Sequence, residues 1–234
     1  MPFPVVHLRV AEKIARALCL SDGETASFLL GSLAPDGVHY RAGLEGAPQH
    51  VIGAEKKHTH LCHESSEPWG KITDNDGWLV EINRVWSSIP KGANHLTDPF
   101  VAGYVVHVLT DVYNNLTLWK NFCAGYPEEA ENVYTSDYYR EMGALDLQLY
   151  QEPETERVIR LLPQAETRGF DGRIAAEEAE AIRASILYES GGIYTRYKNQ
   201  PPADTSRNRF ITFAQIKGFI ENAAAFALQH LPVL

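Results

Sequence analysis

Nine histidines, eight of them in the first half of the chain and five between residues 39 and 63, are the first sign of metal chemistry in this sequence. The sharpest local pattern is His107-Val-Leu-Thr-Asp111. A histidine and an aspartate four residues apart share one face of a helix. There an imidazole nitrogen and a carboxylate oxygen can both reach one zinc. Tyr104, Val105, Val106, Val108 and Leu109 make the segment apolar, so the pair is expected to be buried and to need partners or a metal. A plain hydrogen-bonded pair inside a bundle has the same spacing. His58-Thr-His60-Leu-Cys-His63 sets three imidazoles within six residues. In an extended stretch His58 and His60 would point the same way, while beside Lys56 and Lys57 the segment also reads as a solvated loop. Asp36 follows a helix in Ala34-Pro35-Asp36, where a turn residue is expected in any case. His39 would join it only if the helix continued, which Gly37 opposes. His7, between Val6 and Leu8, reads from its neighbours alone as a core histidine. Arg41 lies close enough in sequence to Asp36 to contact a substrate phosphate, or to form a surface ion pair.

Helices must position these groups. Val6, Val10, Ile14 and Leu18 recur at about one helical turn over residues 5–18. Ser21 or Asp22 can cap a second helix through Phe28, Leu29, Leu30 and Leu33, stopped by Pro35 and Gly37. Residues 40–70, rich in Gly, Pro, His and charge, read as a long loop of the kind that carries function. A helix is expected over 75–88. Thr97 or Asp98 with Pro99 starts the helix of His107, which runs to about Phe122. One stretch from Pro127 to Tyr150, a short helix over 154–162, an Ala- and Glu-rich helix over 175–188 ended by Gly191-Gly192, a loop over 192–208 and a final helix over 212–231 complete the reading. No alternating strand pattern competes. The fold class is all-α, a single multi-helix domain over residues 1–234.

The chain's 234 residues can bury a substantial core without staples. A formal net charge of -9 argues against holding long nucleic acid through phosphate contacts, yet permits small phosphate esters where a metal supplies positive charge. Cys19, Cys62 and Cys123 are far apart and odd in number, so reduced thiols are expected. No leader pattern and no apolar run of transmembrane length are visible, which predicts a cytoplasmic protein without a transmembrane segment.

Met1-Pro-Phe-Pro-Val-Val-His7-Leu, Phe28-Leu-Leu-Gly-Ser-Leu-Ala-Pro-Asp36, Lys57-His-Thr-His60-Leu and Asp98-Pro-Phe-Val-Ala-Gly-Tyr-Val-Val-His107-Val-Leu-Thr-Asp111 follow one another in order. This ordered set resembles the zinc-dependent phospholipase C family, in particular its short bacterial members. Asp146-Leu-Gln-Leu-Tyr150 and the last helix extend the likeness over nearly the whole chain. The family shares an all-helical fold with zinc-dependent single-strand nucleases.

The resemblance implies that Asp36, His60, His107 and Asp111 ligate one zinc, and that Asp111 bridges to a second metal also held by His7. It gives Asp36 and Asp111 the catalytic roles, with a metal-held hydroxide attacking the phosphorus of a phosphodiester. His39 and His58 are alternative ligands. The secreted enzymes of that family begin with a tryptophan that binds metal, and carry a further His and a HxxxE pair after the HxxxD helix. This chain starts Met1-Pro2 and has only His230 after His107. Asp137, Glu141 or Asp146 could substitute as carboxylate ligands, although solvated helix faces explain them equally well. One or two zinc ions are therefore expected, and the His/Asp donor set accepts other divalent metals. Trp69, Trp78, Trp86 and Trp119 read as core or as the lining of a lipid or base pocket, and Tyr134, Tyr138 and Tyr139 as core or as hydroxyls that bond a phosphate. The expected activity is hydrolysis of a small phosphate ester or phospholipid. A nuclease or nucleotide phosphatase on the same fold, and a non-catalytic metal-stabilised binding protein, are the alternatives.

Overall fold

The computed structural model describes residues 3–44, 53–88, 98–187, 201 and 203–231. Thr97, His50, His95, Tyr188, Gly191 and Gly192, and the side chain of Tyr134, lie outside the described residues. Among the described residues the chain is all-α, with one isolated bridge between Phe170 and Ile174 and no strand. No described helix is long and apolar enough to cross a membrane.

Helix α1 (Pro4–Ala17) starts on a proline at its first turn, where the missing N–H costs nothing. Helix α2 (Asp22–Gly31) is opened by a capping box in which the Ser21 hydroxyl and the Glu24 carboxylate each bond the other's backbone N–H. The chain then tightens into a 3-10 helix, Ala34–Tyr40, and short helices α3 (Arg41–Leu44) and α4 (Gly53–Thr59) follow. Much of the stretch expected to be loop is thus helical. Gly37 does not break this path. A Cβ there would press on the Glu178 carbonyl, so glycine is what lets the 3-10 helix lie against the helix Ala176–Leu187.

Helix α5 (Asn75–Ser88) runs over the span predicted for it. Helix α6 (Pro99–Asn114) is capped by Asp98, whose Oδ1 accepts the N–H groups of Phe100 and Val101. Every residue from Phe100 to Val112 is buried, as befits a helix that is apolar all round. A π-helical turn (Asn115–Trp119) leads into α7 (Lys120–Gly125). The expected stretch from Pro127 to Tyr150 divides into α8 (Pro127–Glu131), a 3-10 turn and α9 (Asp137–Tyr150). Helices α10 (Pro153–Leu161), α11 (Ala176–Leu187) and α12 (Phe213–His230) follow, the last opened by a Thr212–Gln215 capping box.

Helix α6 is the axis on which α1, α2, α5 and α12 pack. Its contact with α2 is the closest in the fold. A Cβ on Gly31 would overlap the Phe100 carbonyl oxygen, and a Cβ on Gly103 would overlap that of Phe28. The two glycines thus let the backbones touch. Replacing Gly103 by alanine is expected to destabilise the protein by about 2 kcal/mol or more, because backbone must move to admit the methyl. Gly143→Ala, on α9 with nothing within 4 Å of the added carbon, is expected to gain about 0.5–1 kcal/mol. Urea denaturation of the two variants checks both signs.

Candidate metal centre

His7 comes from α1, Asp36 from the 3-10 helix, His60 from just beyond α4, and His107 and Asp111 from α6. The five residues expected from the sequence come together in one place. They form two candidate metal-holding groups, His7–His107–Asp111 and Asp36–His60–His107, in which all ligand atoms lie within 4.8 Å of one another.

Backbone carbonyls orient the rings. His107 Nδ1 is 2.8 Å from the Ser32 carbonyl oxygen, and His60 Nδ1 is 2.9 Å from that of Lys56. A carbonyl oxygen only accepts, so both Nδ1 atoms carry the hydrogen and both Nε2 atoms present lone pairs. Those Nε2 atoms stand 3.2 Å apart. Two lone pairs so placed repel unless a cation lies between them. This is also the arrangement by which a metal-binding histidine has its tautomer fixed from behind.

The distances from His60 are close to those around a tetrahedral ion, and those from His107 are longer. Metal–ligand arms of 2.0–2.1 Å give edges of roughly 3.3–3.4 Å between ligand atoms. His60 Nε2 lies 3.4 Å from Asp36 Oδ1 and 3.5 Å from Asp111 Oδ2. His107 Nε2 lies 3.8 Å from Asp111 Oδ2 and 4.0 Å from Asp36 Oδ2. Asp111 Oδ1 turns the other way, 3.6 Å from His7 Nε2, and the His7 and His107 rings stack at 3.8 Å. Asp111 therefore faces both groups, one oxygen to each.

Both oxygens of Asp111 and both ring nitrogens of His7 are buried without a hydrogen-bond partner. Such orphans cost about 1–3 kcal/mol each, more when charged. Burial pushes the Asp111 carboxyl up to about 6, and burial holds the His60 imidazole down at about 3. His7 is likewise held well below its ordinary value, by burial and then by His107. At Asp36 burial alone would raise the carboxyl, but the Lys56 ammonium beside it outweighs this and holds it well below the usual range. Neutral imidazoles and ready carboxylates are the forms a divalent metal takes. Donor types, spacing and orphaned atoms all fit such an ion.

The remaining expected residues lie elsewhere. His39 Nε2 sits 3.5 Å from Asp36 Oδ1 and 2.8 Å from Lys56 Nζ, at the edge of the centre. His58 and His60 do not share a face, because α4 continues through His58, and His58 packs against His63 instead. Arg41 is held by Glu178 and by the Arg173 carbonyl. Asp137 is an exposed partner of Arg140. Glu141 accepts the N–H groups of Arg209 and Phe210. Asp146 is fully buried and its Oδ1 accepts the N–H groups of Val5 and Val6, which fixes the start of the helix that carries His7. None of these three carboxylates joins a candidate metal group among the described residues.

The sequence reading missed Lys56, whose Nζ is 2.9 Å from Asp36 Oδ1. It also missed Asn114, one turn beyond Asp111. A chamber of about 340 Å³ opens from the centre, lined by Asp36, Lys56, Asp111 and Asn114 at one end and walled by Phe3, Trp69, Trp119 and Tyr139. Asn114 Oδ1 and the Tyr138 hydroxyl, on residues that line it, have no hydrogen-bond partner among the described residues. Trp69 packs edge-on to the His60 ring at 4.6 Å, and Trp78 Nε1 donates to the His60 carbonyl at 2.8 Å.

The raised Asp111 carboxyl favours the protonated form in the folded, metal-free chain. Its stabilising contribution is whole below the unfolded value of 3.8 and is lost as pH rises through about 6. In chelator at pH 8, Asp111→Asn is therefore expected to be about 2–3 kcal/mol more stable than wild type, the gap closing toward pH 4. Urea unfolding across that range checks it. A variant no more stable than wild type at pH 8 would mean that the carboxylate is satisfied without a metal.

Comparison with protein-family models, with curated proteins and with solved structures finds no match, so the reading of this centre rests on its own donors and spacing.

Proposed function

We propose that the protein is a zinc-dependent hydrolase of small phosphate esters, of the phospholipase C kind. The observation that carries the reading is the gathering of His7, Asp36, His60, His107 and Asp111 into two adjoining groups of candidate ligand atoms that share His107, beside a chamber large enough for a small ligand. Zinc bound there would supply Lewis acidity to a phosphoryl oxygen and acidify water at neutral pH.

The chain's own residues do the rest. The Ser32 and Lys56 carbonyls hold the two imidazoles in the ligating tautomer, so no rearrangement is needed on binding. Asp36 is kept ionised by the Lys56 ammonium, which suits it to bind and orient rather than to take up a proton. Asp111 offers its oxygens to both groups, and His7 supplies a further donor for a second ion. Trp69, Trp119 and Tyr139 wall off the chamber, lowering the local dielectric and strengthening each electrostatic contact. Asn114 and Tyr138 present free polar atoms to the part of the substrate beyond the phosphorus.

The chamber's size and the net charge of -9 favour a small ester over a long strand. The apolar wall favours a leaving group or ester arm with apolar or planar surface.

The test is elemental analysis with turnover. Zinc-supplemented wild type is expected to hold one or two zinc ions per chain and to hydrolyse bis-p-nitrophenyl phosphate or dispersed phosphatidylcholine. Asp111→Asn is expected to lose metal and about 100-fold or more of the rate. Turnover of mononucleotides or a short single-stranded oligonucleotide in place of those substrates would move the assignment to the nuclease side. A folded chain that takes no metal after supplementation would sink the reading altogether.

A further inference from the structure

Lys56 reads in the sequence as one of a pair of solvated lysines, yet its side chain is only 6% exposed. Helix α4 places it one turn before His60, with its carbonyl accepting His60 Nδ1 and its ammonium turned into the chamber. Nζ donates to Asp36 Oδ1 at 2.9 Å and meets His39 Nε2 at 2.8 Å, under the Trp69 ring at 5.3 Å. An ammonium has three hydrogens to donate. Two are used, and no third partner is found among the described residues.

The bland account is that Lys56 neutralises Asp36. Charge at the centre argues for more. Asp36 and Asp111 carry two negative charges, which one divalent ion already balances. A buried lysine beside them then leaves a net positive charge in a chamber with no other lysine or arginine on its lining among the described residues. Burying an ammonium is costly, and a cost of that kind persists where an anion recovers it. Its position, within hydrogen-bond distance of a carboxylate of the candidate metal group, brings a donor to the spot where a ligand reaching the metal would carry its charge.

We propose that Lys56 is an anion anchor. It donates its free N–H to a non-bridging phosphate oxygen, and together with the metal centre it makes a site selective for phosphate anions over neutral esters. His39 acts as a positioning residue, holding the ammonium on the chamber side of Asp36. The proposal rests on the metal-centre reading above, but it concerns a residue outside that ligand set.

The experiment is isothermal titration of inorganic phosphate into the full zinc-supplemented chain, with zinc content measured in parallel. Wild type is expected to bind phosphate, Lys56→Gln to bind it at least about tenfold more weakly, and Lys56→Arg to recover part of the loss. Zinc content is expected to stay the same in all three. Equal phosphate affinity in wild type and Lys56→Gln overturns the proposal, as does a wild type that binds no phosphate. If zinc is retained while phosphate binding ignores Lys56, the hydrolase reading stands and the anchor falls. If wild type takes no zinc yet binds phosphate through Lys56, the hydrolase reading falls and the anchor stands. Should Lys56→Gln not fold, reductive methylation of wild type followed by mass spectrometry decides. Phosphate is expected to slow modification of Lys56, and an unchanged rate overturns the proposal.

Discussion

The close contact of α2 with α6 is the constraint on which the centre depends. Gly31 and Gly103 let the two backbones approach to a distance no side chain would allow. That approach brings the Ser32 carbonyl, just past the end of α2, within 2.8 Å of His107 Nδ1. It also sets where the chain leaves α2, and so where the 3-10 helix delivers Asp36. Gly37 then repeats the device against α11. Backbone contact thus fixes the tautomer of one donor and the position of another. The imidazole is oriented by main chain, which has fewer ways to relax than a side chain would.

Around that axis the other donors are placed by groups that never touch the candidate ion. Asp146 caps α1 and sets the height of His7. Trp78 bonds the His60 carbonyl, and the Tyr104 hydroxyl bonds the neighbouring Thr59 carbonyl, so the turn after α4 is held from the core. Leu61 takes up a left-handed conformation there, at φ 55°. Such a backbone costs energy for a branched residue and persists only when its surroundings over-determine it. The packing of Trp69 and Trp78 about His60 supplies that determination.

What the sequence made legible was whatever local chemistry decides. Ser21 and Asp98 cap the helices they announce, and the apolar run from Phe100 to Val112 is the buried axis its composition implies. The five donors were visible as types in order, which is why they could be named before their meeting place was known. Less legible was anything set by tertiary contact. Residues 40–70 read as a loop because glycine, proline and charge crowd them, whereas α4 is helical through His58 and turns it away. Lys56 looked like a solvated charge, although four-residue spacing from His60 would have aligned the two had the segment been read as helix. Asn114 carried a fainter signal, a polar residue seven positions after His107 on the same apolar helix.

The energetics of the centre bear on why it is there at all. Three imidazoles and two carboxylates, all but Asp36 under 4% exposed, are gathered where hydrophobic side chains of the same volume would pack without loss. The Asp111 oxygens and His7 ring nitrogens have no hydrogen-bond partner among the described residues, and the lone pairs of His60 and His107 face each other. Each of these features lowers the stability of the metal-free fold, and together they far exceed what a chance core defect would leave. An arrangement that opposes folding is maintained where a ligand recovers the cost. Asp146 is the instructive contrast. It is as buried as Asp111, but its Oδ1 receives the backbone N–H groups of Val5 and Val6 at the start of α1. The difference between a buried carboxylate that is satisfied by its own chain and one that is not is what separates the scaffold of this protein from its site.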